Sequence, residues 1–518
     1  MALNDLIRQI VIVGGGSAGW LTAAVIAAEH RAACGSGLQV TLIESPDVQP
    51  IGVGEGTWPT MRDTLRRIGV TETDFIRECD VSFKQGSKFD GWVTGREGDY
   101  YFHPFVLPQG YTETNLVAGW LQRHADVPFA DLVSFQPHLC ARGKAPKQIA
   151  TPEYAAVANY AYHLDAGKFG LFLRKHCIER LGVRHVLDHV AGINSHDNDD
   201  IASLQTKAHG ALAGDLFVDC TGMQSLLLSQ HYGIAFLSQR HVLFNDTALA
   251  LQIPYADENS PIASQTISTA QSSGWVWDIG LPARRGVGHV YSSSHTSDDA
   301  AELELRSYIE RTGGPKDIGA PRKLSFNPGY RKQFWHRNCV AIGLSAGFIE
   351  PLEASALALV ELSAAMLSDE MPPTRAAMDI VAQRFNDSFT YRWERVIDFL
   401  KLHYVLTKRT DSAFWRDNVR AESIPERLHE MLTLWRHRPP SRYDFFRIEE
   451  VFPSASYQYV LYGMGFRPEQ GTPRRSDDAD RADGYFRETA ALTGKMLAAL
   501  PDNRELISHI RRNGLQKI

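Results

Sequence analysis

The sequence lacks the features that mark several specialised classes of protein. Its six cysteines include no C-x-x-C pair, which excludes a zinc ribbon and a disulfide scaffold and is typical of a reducing compartment. Lys and Arg (54) are outnumbered by Asp and Glu (60), and the net charge of −6 argues against a nucleic-acid-binding surface. With 44% hydrophobic and 22% charged residues, the chain is neither disordered nor collagen-like. We expect a globular protein without a metal site.

Long hydrophobic runs are also scarce. Only residues 10–28 are apolar enough to resemble a signal peptide or a membrane span. Three consecutive glycines would weaken such a helix, and charged residues follow at once without an A-x-A-type cleavage site. This segment therefore predicts a buried strand, a glycine turn and a helix. We expect a cytoplasmic protein that does not bind membranes.

The length and the hydrophobic patterns predict a mixed α/β fold. A chain of 518 residues has room for roughly three or four structural units. A βαβ pattern opens the chain, short β patterns fill residues 183–292, and helical patterns dominate after residue 373. Residues 100–160 mix aromatics, prolines and glycines without a period, which predicts loops. We predict a nucleotide-binding module with an interleaved β-rich substrate region over 1–370, and a mainly helical region packed on the substrate site over 371–518.

The clearest local motif is a glycine-rich turn between a predicted strand and a predicted helix. Residues 14–19 read Gly-Gly-Gly-Ser-Ala-Gly and fit G-x-G-x-x-G. In this motif the second glycine lets the backbone approach a pyrophosphate, and the helix N-terminus supplies N–H donors. Glu44 closes the next predicted strand, where a carboxylate can accept a hydrogen bond from a ribose hydroxyl. The predicted nucleotide-binding residues are Gly14, Gly16, Ser17, Ala18, Gly19 and Glu44.

Two later segments favour FAD over a nicotinamide cofactor. A hydrophobic strand at 216–219 runs into Thr221 and Gly222, and another at 338–342 delivers Gly343 and Leu344 to the start of a helix. Two-domain FAD enzymes use such late strands to return the chain to the isoalloxazine ring. We therefore predict a Rossmann-like FAD-binding module of the glutathione-reductase type. Gly222 and Leu344 are its further predicted cofactor-binding residues.

Four segments, in order along residues 8–360, resemble patterns of the flavin-dependent halogenases, the family that includes the tryptophan halogenases. Residues 274–279 (GWVWDI) are similar to G-W-x-W-x-I-P, although Gly280 stands where proline is usual. Residues 51–57 with Pro59 resemble the loop that straps across FAD. Residues 83–92 resemble the segment that carries the catalytic lysine, and residues 347–353 (GFIEPLE) resemble G-F-x-E-P-L-E.

The resemblance implies halogenation of an electron-rich, indole-like ring with reduced FAD, O₂ and chloride or bromide. Halide is converted to hypohalous acid, which a cationic or hydrogen-bond-donating group must guide to one carbon of the ring. Lys84 matches the family's catalytic lysine, which acts either through a chloramine or by donating a hydrogen bond to hypohalous acid, and Lys88 is the rival candidate. Glu353 matches the glutamate that stabilises the arenium cation and accepts its proton. Glu350 lies three residues earlier, a spacing that allows both carboxylates to share one helical face.

The resemblance also suggests residues for the halide and the substrate. Ser355 and Ala356 stand where the family has threonine and glycine, whose backbone N–H groups hold the halide. These substitutions leave the choice between chloride and bromide open. His103 and Phe105 match a His-x-Phe pattern of the substrate pocket. We interpret Trp275 and Trp277 as core packing between the flavin and substrate regions.

The C-terminal part departs from the pattern of the tryptophan halogenases. Those enzymes carry a Tyr-Tyr pair, a following glutamate and a Phe-Trp pair that grip the amino-acid backbone and the indole. The comparable stretch, residues 443–453, is shorter and lacks both pairs. Because the missing groups would bind an ammonium and a carboxylate, we expect free indole or another aromatic to be a better substrate than tryptophan.

Two other functions compete with halogenation. The first is a flavin-dependent aromatic monooxygenase, but Leu344 stands where such hydroxylases commonly place the aspartate of a G-D motif. The second is a flavin-binding protein without catalysis, such as a redox sensor. The chain has no second dinucleotide motif, so we expect a separate NAD(P)H-dependent flavin reductase as the partner.

Overall fold

The computed structural model describes residues 6–35, 37–48, 54–447, 450–469 and 478–517. The strands are β1 (Gln9–Val13), β2 (Gln39–Glu44), β3 (Gly54–Gly56), β4 (Ser82–Lys84), β5 (Gly86–Asp90), β6 (Tyr100–Pro104), β7 (Ala161–Asp165), β8 (Arg184–Leu187), β9 (Val190–Ser195), β10 (Ile201–Thr206), β11 (Ala211–Ala213), β12 (Leu216–Asp219), β13 (Phe236–Ser238), β14 (Thr247–Pro254), β15 (Thr266–Ala270), β16 (Gly274–Gly280), β17 (Arg284–Tyr291), β18 (Arg322–Ser325), β19 (Gly329–Arg331), β20 (Trp335–His336), β21 (Cys339–Ala341) and β22 (Gly347–Phe348). The helices are α1 (Ser17–Glu29), α2 (Met61–Arg67), α3 (Glu72–Glu78), α4 (Leu116–Arg123), α5 (Phe129–Val133), α6 (Gln136–Ala141), α7 (Ala166–Glu179), α8 (Asp298–Arg311), α9 (Ser355–Asp369), α10 (Arg375–Val405), α11 (Ala413–Asn418), α12 (Glu426–Trp435), α13 (Ser454–Gly463), α14 (Asp478–Ala499) and α15 (Asn503–Asn513).

A six-stranded, largely parallel sheet carries the glycine-rich turn. Its order is β20-β21-β12-β1-β2-β8, and every pair except β20-β21 is parallel. The last four residues of β1 are buried, as expected for an apolar strand covered on both faces. The helix α1 packs against α7 and α9 and is buried over most of its length, which explains its alanine-rich, weakly amphipathic sequence. The predicted α/β class with a Rossmann-like opening is confirmed.

The prediction of loops over residues 100–160 is wrong. This segment contains β6 and three helices, α4, α5 and α6. The helices have eight, five and six residues, so none is long enough to display a helical period in the sequence. Asn115 caps α4 by accepting a hydrogen bond from the Ala118 N–H, and proline flanks or opens the other two helices.

Two further sheets meet at the segment that carries Lys84. A seven-stranded sheet has the order β18-β14-β17-β16-β15-β5-β6 and is antiparallel except between β15 and β5. A small antiparallel sheet, β3-β7-β4, has β7 in its centre. Because Gln85 alone separates β4 from β5, Lys84 lies at the junction of the two sheets.

The helical character of the C-terminal part is confirmed. The helix α13 packs on β6, α14 packs on α4, and α15 packs on α3 and β4. Buried side chains of α10, α13 and α15 belong to the same hydrophobic cluster as those of β1 and α1. A boundary near residue 370 stays a prediction. Within the described ranges, no helix combines the length and the apolarity that crossing a bilayer requires.

A buried carboxylate at the end of β12 holds two turns together. Asp219 is fully buried, and its Oδ1 accepts hydrogen bonds from the Thr221 N–H (3.0 Å) and hydroxyl (2.6 Å). Its Oδ2 accepts from the N–H groups of Leu227 and Leu228, each at 2.9 Å. The Ser345 hydroxyl donates to Oδ1 at 3.0 Å. Asp219 therefore joins the turn after β12 to the turn after β21.

We expect the Asp219→Ala variant to lose about 3 kcal/mol or more of unfolding free energy, because several buried donors would lose their acceptor. The measurement is urea denaturation followed by circular dichroism. Asp197→Ala, in the exposed turn between β9 and β10, is the control and is expected to stay within about 0.5 kcal/mol of the wild type. Equal stability of the two variants would contradict the role of Asp219.

Candidate functional site

The glycine-rich turn leaves room for a ligand at one glycine only. A Cβ on Gly14, which has a φ of +113°, would lie 2.2 Å from the Cys220 carbonyl oxygen. A Cβ on Gly19 would lie 1.9 Å from the Gly14 oxygen. At Gly16, by contrast, no heavy atom of the described chain beyond the neighbouring residues lies within 4 Å of the position that a Cβ would take. The first and third glycines are thus needed for packing, and the second exposes backbone beside the N-terminus of α1, as a pyrophosphate requires.

Both later segments predicted to reach the cofactor adjoin this turn. Gly222 has a φ of +75° and open space where a side chain would be. A Cβ on Gly343 would lie 2.6 Å from the Cβ of Ala18, so the turn after β21 packs directly on the start of α1. Leu344 is half-buried in the same turn, and the Ser345 hydroxyl donates to the Gly222 carbonyl at 3.1 Å. The three chain segments form one cradle that fits a dinucleotide.

Glu44 lies beside the cradle, and its carboxylate contacts two basic side chains. Its Oε1 lies 2.8 Å from the His185 Nε2 and 3.4 Å from an Arg174 Nη. Its Oε2 lies against Gly15, because a Cβ on Gly15 would be only 1.5 Å from that oxygen. The Ser17 hydroxyl lies 3.5 Å from the first carbonyl oxygen of α7. A ribose hydroxyl at this carboxylate would therefore compete with His185.

Lys84 is buried in a tight pocket at the end of β4. Its side chain is 1% exposed. A Cβ on Gly56 would lie 3.2 Å from the Lys84 Nζ and 3.3 Å from the Cβ of Ala354, so these three residues adjoin. The Nζ also lies 5.4 Å from the centre of the Phe105 ring. Residues 51–53 of the predicted strap lie outside the described residues, but the end of the strap, at Gly56, borders this pocket.

The pocket weakens the proton affinity of Lys84. Burial lowers the pKa of Lys84 to about 8, although the negative charge of Glu353 opposes this shift. His163 on β7 is fully buried, and burial together with the Lys84 charge holds its pKa well below the usual value. The His163 Nε2 lies 2.9 Å from the Thr266 hydroxyl. A loosely protonated lysine thus lies near a neutral imidazole.

The rival lysine has a different environment. Lys88 pairs with Asp90 at 2.8 Å and lies 5.3 Å from the centre of the Tyr100 ring. Its side chain is 29% exposed and lines a surface cleft of about 520 Å³. Between the two candidates, only Lys84 lies in the pocket that borders residues 353–354.

Glu353 is a buried carboxylate flanked by two histidines. Its Oε1 lies 2.9 Å from the His103 Nδ1 and 3.2 Å from the His403 Nε2. Burial raises the pKa of Glu353, but the two imidazoles lower it further, so the pKa is held well below its usual range. The Glu353 backbone carbonyl accepts a hydrogen bond from the Trp58 Nε1 at 2.7 Å. The carboxylate is therefore ionised and fixed at both its side chain and its backbone.

The prediction that Glu350 and Glu353 share a helical face is wrong, because both precede α9. The Glu350 Oε2 accepts hydrogen bonds from the Trp275 Nε1 (2.6 Å), the Tyr404 hydroxyl (2.7 Å) and the Asn245 Nδ2 (2.7 Å). Burial raises the pKa of Glu350, although these donors oppose the shift. The two glutamates thus occupy separate environments, and Trp275 supports one of them as well as filling the core.

The predicted halide residues open a helix without a side-chain cap. Ser355, which is buried, and Ala356 are the first two residues of α9. The preceding residue, Ala354, has a φ of +56° and supplies no side-chain acceptor. The helix dipole and the N–H groups of the first turn favour an anion at such an end. The assignment of halide to this position stays a prediction.

Aromatic rings pack around His103. The His103 ring centre lies 5.5 Å from that of Phe399 and 6.4 Å from that of Phe452. Phe399 and Phe452 stack with their centres 3.8 Å apart. Trp58 lies 4.9 Å from Phe452. Trp58, Phe399 and Phe452 form an apolar wall, and His103 joins it to the carboxylate.

The sequence analysis missed two histidines of this region. His403 is one residue of the 31-residue helix α10, and His163 lies in the middle of a buried strand. Neither belongs to a local motif, since each gains its neighbours only when distant segments pack together. The only signal for them in the sequence was a histidine next to aromatic residues.

Comparison with known proteins gives a consistent assignment. The family model described as tryptophan halogenase matches residues 9–479. The tryptophan 6-halogenase SttH of Streptomyces toxytricini is 32% identical over 88% of this chain and 89% of its own, and the tryptophan 7-halogenase RebH of Lentzea aerocolonigenes is 30% identical over 98% and 99%. The crystal structure of a tryptophan halogenase from Shewanella frigidimarina matches with a TM-score of 0.96 and 50% identity, covering 99% of both chains.

These matches identify the chain as a flavin-dependent halogenase. The chain belongs to the tryptophan halogenase family, as the four sequence segments predicted. It is therefore a flavoprotein enzyme.

We expect Lys84 to titrate near pH 8, well below the pKa of an ordinary lysine. The measurement is a pH titration by NMR of protein labelled at the lysine side chains, with the Lys84 signal assigned through Lys84→Arg. Glu353→Gln should lower the pKa of Lys84 further, because the opposing negative charge is removed. Glu361→Gln, a buried carboxyl on α9, is the control that should leave the pKa of Lys84 unchanged. A pKa that rises in Glu353→Gln would contradict this account.

Proposed function

We propose that this enzyme halogenates an electron-rich, indole-like ring, using FAD that a separate NAD(P)H-dependent reductase supplies in the reduced state. The observation that carries the proposal is that a buried lysine of lowered pKa lies near an ionised glutamate, in a chain of the tryptophan halogenase family. The lysine supports hydrogen-bond donation to an oxidant, and the glutamate supports removal of a ring proton.

The cradle residues fit FAD and would hold its parts at different points. The backbone at Gly16 and the N-terminus of α1 would bind the pyrophosphate, and Glu44 would bind the ribose. Gly222 and Leu344 would lie along the remaining part of the cofactor. Reduced FAD with O₂ would supply the oxidising equivalent that converts chloride or bromide to hypohalous acid. Ser355 and Ala356 would hold the halide by the first N–H groups of α9.

In this mechanism the Lys84 ammonium donates a hydrogen bond to the oxygen of hypohalous acid. That bond makes the halogen more electrophilic, and the oxygen leaves as water when it takes the lysine proton. A pKa of about 8 suits this role, since the group is protonated at neutral pH yet releases a proton more readily than an ordinary lysine.

Glu353 completes the substitution at the ring. The ring carbon that bonds to the halogen becomes an arenium cation, which the nearby carboxylate stabilises. Glu353 then accepts the proton from that carbon. The overall change is Ar–H plus hypohalous acid giving Ar–X plus water, and the proton that Lys84 gives up equals the proton that Glu353 takes.

The apolar wall supports an aromatic substrate rather than an amino acid. Phe399, Phe452 and Trp58 offer stacking and dispersion contacts but no charge. In the stretch 443–453, Tyr443 is 75% exposed and Phe446 is 91% exposed, and residues 448–449 lie outside the described part. These two side chains therefore make little contact with the rest of the protein, in keeping with the absence of the Tyr-Tyr and Phe-Trp pairs.

We expect mass spectrometry to find singly halogenated products when an indole panel is incubated with enzyme, FAD, NADH, a flavin reductase and chloride or bromide. Lys84→Met should reduce halogenation by at least about 100-fold. Lys88→Met is the matched control and should retain activity, because Lys88 is paired with Asp90 outside the pocket. Products that carry only hydroxyl groups in either salt would identify an aromatic hydroxylase instead. NADH consumption without added reductase would contradict the separate partner.

We also expect indole to exceed tryptophan in kcat/KM severalfold, because the chain lacks the groups that would bind the ammonium and the carboxylate of the amino acid. The measurement is steady-state kinetics on both substrates with a saturating reductase. Tryptamine and indole-3-propionate, which each keep one charged group, show which charge the site rejects. A severalfold preference for tryptophan would refute this substrate assignment.

A further inference from the structure

A second histidine, His403, connects the Glu353 carboxylate to a tyrosine. The His403 Nε2 lies 3.2 Å from the Glu353 Oε1, and the His403 Nδ1 lies 2.7 Å from the Tyr101 hydroxyl. Both side chains are buried, with exposures of 0% for His403 and 1% for Tyr101. The phenol, the imidazole and the carboxylate thus form a continuous row inside the protein.

The surroundings fix the orientation of the His403 ring. Phe89 stacks on it at 4.6 Å with an angle of 29°, and Phe399 meets it edge-on at 5.4 Å. The centre of the Trp92 ring lies 6.1 Å from that of His403. An imidazole packed in this way cannot exchange a proton directly with water or turn to another partner.

The tyrosine sets which ring nitrogen of His403 carries the proton. Burial raises the pKa of Tyr101 well above its usual value, so the hydroxyl stays protonated. It therefore donates a hydrogen bond to the His403 Nδ1. The proton of the neutral imidazole is then on Nε2, which lies 3.2 Å from the Glu353 Oε1, an electrostatic contact that lacks the angle of a hydrogen bond. The same logic, in which one hydrogen bond selects the tautomer that serves another group, operates in carboxylate–histidine pairs of hydrolases.

Both histidines meet the same oxygen of Glu353. His103 lies 2.9 Å from Oε1 on the side of the apolar wall, and His403 approaches that oxygen from α10. Within the described residues, Oε2 accepts no hydrogen bond. The contacts at Oε1 therefore hold the carboxylate in place and leave its second oxygen for the proton of the ring.

We propose that His403 and Tyr101 are positioning residues for proton removal: Tyr101 holds His403 in the Nε2–H tautomer, and His403 orients the Glu353 carboxylate that accepts the ring proton. This inference rests on the proposed function. It predicts that the pair affects the loss of the ring proton and does not affect the oxidation of halide or the binding of flavin.

The test is the kinetic isotope effect on halogenation of indole deuterated at every ring carbon. In the wild type we expect a kinetic isotope effect of about 1, because a well-placed carboxylate removes the ring proton faster than the carbon–halogen bond forms. In Tyr101→Phe, which keeps the aromatic packing, and in His403→Leu, we expect kcat to fall about 10-fold or more and the isotope effect to rise to about 2 or more. KM for indole and flavin affinity, measured by fluorescence, should stay unchanged.

Two further variants keep the test decisive if one protein folds poorly. His403→Gln retains an N–H donor and should keep more activity and a smaller isotope effect than His403→Leu. Tyr308→Phe removes another buried phenol, which donates to Asp278 at 3.0 Å, and should behave as the wild type.

Lower activity without a larger isotope effect in Tyr101→Phe and His403→Leu would show a merely structural role and overturn the inference. Unchanged activity in both variants, or a wild-type isotope effect already at full size, would also overturn it. If the wild type gives no halogenated product, the proposed function itself fails. Normal wild-type halogenation with unaffected variants refutes only the role of the pair.

Discussion

The burial of an ammonium and a carboxylate in one region is the constraint on which the rest of the site depends. Removing either ion from water costs several kcal/mol, so each must be compensated or must change its protonation. The compensation is unequal, because two imidazoles contact Glu353, whereas no side chain of the described residues forms a hydrogen bond or ion pair with the Lys84 Nζ, which borders Gly56 and lies 5.4 Å from the Phe105 ring. As a result Glu353 is held in its ionised form, whereas Lys84 binds its proton more weakly than an ordinary lysine. The proposed substitution needs such a fixed base near a group that gives up a proton easily.

One segment of chain, residues 343–353, links the cofactor cradle to this pair of charges. At its start, the Ser345 hydroxyl donates to Asp219, and Gly343 packs on the beginning of α1. Near its end, Glu350 accepts hydrogen bonds from three donors, on β16, on α10 and in the segment before β14. Both ends are fixed by buried carboxylates, so the distance between the cradle and Glu353 is set by the scaffold. In the proposed reaction, this rigidity would let an oxidant formed at the cradle be used near Glu353.

The sequence revealed the features that depend on local chemistry. The glycine turn and the buried strand β1 were predictable because glycine spacing and apolar runs are local properties, and Lys84 and Glu353 followed from resemblance to a family. The shared helical face of the two glutamates was not realised, because Pro351 and the left-handed backbone of Ala354 delay the start of α9. His403 could not be predicted, since fifty residues separate it from Glu353 and only packing of α10 brings them together.

The fixed positions of Lys84 and Glu353 also affect which ring carbon of the substrate reacts. In the proposed reaction Lys84 presents the halogen from one fixed point, so the ring carbon that reacts is the one that the apolar wall turns toward it. Stacking of Phe399 on Phe452 makes that wall flat and non-directional, and it has no charge to anchor a polar side chain of the substrate. Shape and ring electron density must then decide the site of attack. A protein built in this way discriminates among aromatic rings better than among the groups attached to them.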